Sequence, residues 1–114
     1  DQVFGRSGDN LTVTVPVTFT EAALGTEIEV PTITGSTVRL KLPAGTPNGR
    51  VMRVLGKGST RKDGTKADLL VTIEVQVPQR VDGKAKEALE AFADATAGDD
   101  VRADLLRRAA GGAR

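Results

Sequence analysis

Residues 11–19 read LTVTVPVTF. Leu11, Val13, Val15, Val17 and Phe19 alternate with Thr12, Thr14, Pro16 and Thr18. A period of two puts the apolar side chains on one face and the others on the opposite face, which predicts a half-buried β-strand. Pro16 has no N–H to give to a ladder, so the strand is expected to lie at a sheet edge or to bulge there. An edge strand offers unpaired backbone to a guest.

TEAALG follows, and it predicts one short helix capped by Thr20, with Glu21 in the first turn and Gly25 at the end. EIEVPTITGSTVRLKLP then reads as a hairpin turning at Thr34-Gly35-Ser36. Ile28 and Val30 share one face, as do Val38, Leu40 and Leu42, while Glu27, Glu29, Arg39 and Lys41 point away. Asn48-Gly49 predicts a tight turn with positive φ at both central positions. RVMRVL predicts a short strand, Asp63-Gly64 a second exposed turn, and Asp68 to Val77 the clearest strand of all. After Pro78 the composition changes. Asp82 is a candidate cap for a helix reaching about Thr96, with Ala85, Ala88, Leu89 and Phe92 in one stripe. A further short helix is expected to carry Val101, Leu105 and Leu106 on one side.

Composition removes several kinds of chemistry. The 114 residues contain no cysteine and no histidine. A disulfide, a thiol nucleophile, a thiolate metal site and a histidine general base are therefore impossible within this chain. No cofactor, metal or catalytic residue is expected. The Asp and Glu residues are scattered beside basic ones, as on a solvated surface. The net charge is +1, so no global field draws the chain to nucleic acid or acidic membranes. No apolar run is long enough to span a bilayer. The polar opening residues lack a signal core, and a cytoplasmic fragment of a longer protein is expected.

Gly56-Lys57-Gly58 superficially suggests a phosphate loop. The spacing fails, because Gly49 lies too far upstream and Gly58 stands where a hydroxyl should follow the lysine. Arg50, Arg53, Lys57, Arg61, Lys62 and Lys66 carry only Asp63 among them, which raises nucleic-acid binding as an alternative. The segment has no aromatic side chain on which a base would stack, and that weighs against it.

Taken together, GDNLTVTVPVTFTEAALGTEIEVPTITGSTVRLKLPAGTPNGRVMRVLGKG and ADLLVTIEVQVP resemble the second C-terminal β-domain of DnaJ-type co-chaperones. EAALG, LPAGTPNG, R-V-x-G-K-G and DLLV occur in the family's order. One departure is Ala67, where the family usually has glycine before the DL strand. The resemblance implies a mainly β fold, a small two-sheet β-sandwich or barrel-like domain with one short helix, followed by a C-terminal helical segment. It divides the chain into a join with an upstream domain (residues 1–8), the second β-domain (9–78) and a helical dimerisation segment (79–114).

The resemblance also implies a function without catalysis. Such domains hold unfolded client polypeptide in a shallow apolar groove, here carried onto Val13, Val15, Ile28 and Val30, all of which equally suit a core. The tail implies a homodimer through Leu89, Phe92, Val101, Leu105 and Leu106. Partnership with a DnaK-type chaperone would run through parts absent here, since the J-domain's His-Pro-Asp signature needs a histidine. A purely structural dimerisation unit, with the groove in a missing upstream domain, is the alternative.

Overall fold

The computed structural model describes residues 2–112. The chain divides into two compact units, Asp1–Val77 and Pro78–Arg114.

The first unit is mainly β. Its strands are β1 (Phe4–Ser7), β2 (Asn10–Thr18), β3 (Thr26–Pro31), β4 (Thr37–Leu42), β5 (Val51–Val54) and β6 (Leu69–Gln76), with helix α1 (Phe19–Leu24) between β2 and β3. They form a four-stranded sheet, in the order β1-β2-β6-β5, and a separate β3–β4 hairpin. Neither sheet closes into a barrel. The central contact is parallel: β2 pairs with β6 from Leu11↔Leu69 to Thr18↔Gln76. Residues 4–7 form a paired strand, antiparallel to β2 from Phe4↔Val13 to Ser7↔Asn10.

The core collects the apolar faces of both sheets. Leu69, Val71 and Ile73 of β6 are fully buried together with Val30 and Leu42 of the hairpin. Leu11, Val13 and Val17 of β2 and Ala22 of α1 complete the cluster. These are aliphatic side chains, as a chain with three Phe and no Tyr or Trp requires. Val77, expected as the last residue of this strand, lies beyond the end of β6 and is 79% exposed.

The helix cap differs from the expectation. Thr18, not Thr20, is the N-cap of α1: its Oγ1 accepts the Glu21 N–H at 3.1 Å, and Glu21 Oε1 accepts the Thr18 N–H at 2.9 Å. This reciprocal box satisfies two amides at once and bends the chain directly out of β2. Gly25 closes the helix at φ 82° and packs against the backbone of Ala44. The LPAGTPNG corner thus docks on α1, through Gly45 N–H to Ala23 O and Thr46 N–H to Ala22 O.

The Asn48-Gly49 turn also takes another form. Only Gly49 has positive φ, 87°, and Arg50 N–H reaches back to Pro47 O at 3.3 Å. That is a turn needing glycine at its third position alone. Asn48 is used differently: its Oδ1 accepts the Val75 N–H at 2.8 Å and pins the loop to β6.

The second unit holds α2 (Gly83–Ala95) and α3 (Ala103–Gly112). Val101 falls in the turn before α3 rather than on the helix. Asp82 stands at the N-cap of α2 but makes no side-chain cap bond.

Candidate functional site

Contrary to the expectation from Pro16, β2 is neither an edge strand nor bulged: it lies between β1 and β6 and stays in register through Pro16↔Glu74, but its β1 side is only partly paired. Leu11 N–H donates to Asp68 O at 3.0 Å. Odd residues of β2 therefore turn their backbone groups towards β6, and even residues turn theirs away. On that far side β1 reaches only to Val13. From Thr14 onwards this side of β2 has no partner strand among the described residues. Pro16 falls in this stretch, so its missing N–H faces the open side. Thr18 N–H is already taken by Glu21. Pro16 has no N–H to offer and that of Thr18 is taken, so this stretch gives a guest strand little to pair with.

The four expected groove residues are not equivalent. Val13 and Val30 are core, at 4% and 0% exposure. Val15 and Ile28 are half-buried and pack against that core from outside. Only these two present apolar surface to solvent. In the second unit neither helix buries any residue. Leu89 and Phe92 on α2, Leu105 and Leu106 on α3, and Val101 before it are all exposed.

The basic segment is partly neutralised. Arg53 lies 2.6 Å from Asp68 Oδ2, and Arg61 lies 3.3 Å from Asp9 Oδ2. Asp68 also accepts the Gly56 N–H through Oδ1 at 2.9 Å. This amide, and then the Arg53 guanidinium, hold the Asp68 carboxyl below its usual 3.8. Asp63 is held low by the hydroxyl and then the amide of Thr65 within its own turn. Two of the six cations thus serve to close the loop rather than to face a ligand. Among the described residues no group of acids is placed to hold a metal.

A second concavity was not foreseen. A cleft of about 730 Å³ opens beside β1. Phe4, Leu11 and Ile33 give it an apolar floor, and Arg6, Lys66, Ser59 and Thr60 stand around it. These residues come from five separate stretches, so no local pattern announces the site.

The chain thus joins a two-sheet β-unit, with half-buried Val15 and Ile28 on its surface, to two helices whose apolar side chains are exposed. Residues 1–78 match the family model of the DnaJ C terminal domain, and the chain belongs to that family. It is 68% identical to Chaperone protein DnaJ 1 of Streptomyces avermitilis over 109 residues, covering 96% of this chain and 28% of that protein. Identity to Chaperone protein DnaJ 1 of Streptomyces coelicolor is 65%, covering 96% of this chain and 27% of that protein. Chaperone protein DnaJ 2 of Cutibacterium acnes is 58% identical over 93 residues, which are 82% of this chain and 24% of that protein. The chain thus spans about a quarter of the length of these relatives. No helix among the described residues is long and apolar enough to cross a membrane.

Proposed function

We propose that this chain is the client-binding and dimerisation module of a DnaJ-type co-chaperone, holding unfolded polypeptide for a DnaK-type chaperone in the cytoplasm and catalysing nothing itself. The observation that carries the reading is the half-buried pair Val15 and Ile28 on a β-unit whose β2 edge is open from Thr14 onwards. With Pro16 lacking an N–H and that of Thr18 taken by Glu21, ladder hydrogen bonds contribute little, and apolar contact supplies the attraction. A shallow surface must also offset the ordering of an extended guest, so affinity is micromolar or weaker. The ion pairs of Arg53 and Arg61 count against the nucleic-acid alternative.

The test is chemical-shift mapping of the unaltered protein with a permanently unfolded polypeptide, alongside Val15→Asp and Ile28→Asp. Shifts centred on Val15 and Ile28, with weaker binding by both folded variants, support the reading. A folded double variant that binds as well as the parent would overturn the groove.

A further inference from the structure

We propose that the cleft beside β1 is a separate docking site for an extended peptide in which an aliphatic side chain and an Asp or Glu stand two residues apart. The inference does not depend on the groove at Val15 and Ile28.

Three observations on different levels converge there. The first is backbone. Among the described residues β1 is the outermost strand of its sheet and pairs with β2 alone. Because Leu11 gives its N–H to β6, the Arg6↔Leu11 and Phe4↔Val13 pairs are the ones that exchange no hydrogen bonds. The N–H and C=O groups of Phe4 and Arg6 therefore point outward. They form the open side of a ladder, and β1 has no proline to spoil it.

The second is the floor. The side chains of Phe4 and Arg6 lie on the same face as Leu11, the face that lines the cleft. Phe4 and Leu11 make it apolar, and Ile33 at the tip of the β3–β4 hairpin adds a wall that is 55% exposed. An exposed isoleucine over an apolar recess is surface that an aliphatic guest side chain would cover.

The third is charge. Arg6 and Lys66 both line the cleft, and among the described residues no carboxylate does. Neither cation is ion-paired among the described residues, whereas Arg53 and Arg61 nearby are. The Ser59 and Thr60 hydroxyls add two donors. A site lined by cations and hydroxyls complements a carboxylate.

The spacing follows from strand geometry. Phe4 and Arg6 are two residues apart on one face, so a paired guest strand meets them with side chains that are also two apart. An acid next to the aliphatic residue would point away.

The experiment uses the intact chain and short synthetic peptides, read by amide chemical shifts and by titration. Thr-Leu-Thr-Glu-Thr should bind saturably and move the signals of residues 2–7, Ile33, Ser59 and Thr60. Thr-Leu-Glu-Thr-Thr, of identical composition with the acid on the other face, should bind distinctly more weakly. Arg6→Glu combined with Lys66→Glu alters exposed side chains and should weaken the first peptide about tenfold, as expected for two rim charges reversed in sign. The same variant should gain affinity for Thr-Leu-Thr-Lys-Thr. Equal binding of the two glutamate peptides, shifts confined to Val15 and Ile28, or no saturation at millimolar peptide would each overturn the proposal. So would displacement of the peptide by an equal concentration of tripolyphosphate, which would mark a simple anion site.

Discussion

Gly58 packs so tightly against Asp68 that a Cβ built on Gly58 would overlap the Asp68 carbonyl oxygen and lie 2.6 Å from its amide nitrogen. Those atoms are already committed: the Asp68 carbonyl accepts the Leu11 N–H, and its N–H goes to Asn10 Oδ1 at 2.9 Å. The neighbour is backbone held from both sides and cannot swing away. Gly58→Ala should therefore destabilise the β-unit by about 1–3 kcal/mol, the range for forced overpacking. Urea unfolding checks this. An unchanged midpoint would mean the Gly58 loop relaxes at no cost.

Acid should loosen the same corner. The folded-state pKa of Asp68 is lowered by the Gly56 amide and by Arg53, and that of Asp63 by Thr65. For a depressed carboxyl, the stabilisation is present above the unfolded value of 3.8 and is lost as pH falls through the lower folded value. Stability should hold steady near neutrality and decline below about pH 4. Asp68→Asn should flatten part of that decline. A wild-type profile that Asp68→Asn leaves unaltered in shape would contradict the assignment.

Thr18→Ala removes the acceptor for Glu21 N–H and should cost about 0.5–2 kcal/mol, the usual value of an N-cap. Thr20→Ala should be close to neutral, although Thr20 Oγ1 lies 3.2 Å from Thr18 Oγ1. Thermal unfolding of the two variants separates these roles directly.

The helical unit should be required for self-association. A folded chain truncated after Pro78, or one carrying Phe92→Asp with Leu105→Asp, should sediment as a monomer where the intact chain is a dimer. Burying a Leu or Phe side chain contributes roughly 1.5–3 kcal/mol, so several together suffice at micromolar concentration once association costs are met. Intact chain that stays monomeric at about tens of micromolar would remove the dimer from the functional reading.

The strands were readable because each alternates in isolation: Leu69 to Gln76 and Leu11 to Thr18 announce their inward faces without reference to anything else. Hairpin β3–β4 was readable because its turn is local. The helix cap was misplaced by two residues because Thr18 and Thr20 carry the same side chain, and only the reach of Glu21 chooses between them. Asn48 misled for a similar reason. Its dipeptide suits a two-residue hairpin, but a distant Val75 N–H recruits its side chain. Groove and core were inseparable at Val13, Val15, Ile28 and Val30, since alternation shows which face a residue is on and not what covers it. Where β1 ends decides part of that. The cleft beside β1 was invisible, because its lining is assembled from positions up to 64 residues apart, Gln2 to Lys66.

The parallel pairing of β2 with β6 has a consequence for how the chain is made. Leu11 finds its neighbour Leu69 only 58 positions later. Until β6 has left the ribosome, β2 can bind β1 but must leave its other side unmatched. At about 5–20 residues per second, that interval lasts several seconds. Pairings this remote in sequence also close slowly once both strands are available. A domain of a chaperone family thus spends its own early life with an apolar strand uncovered, and it has a use for the kind of protection its relatives are named for.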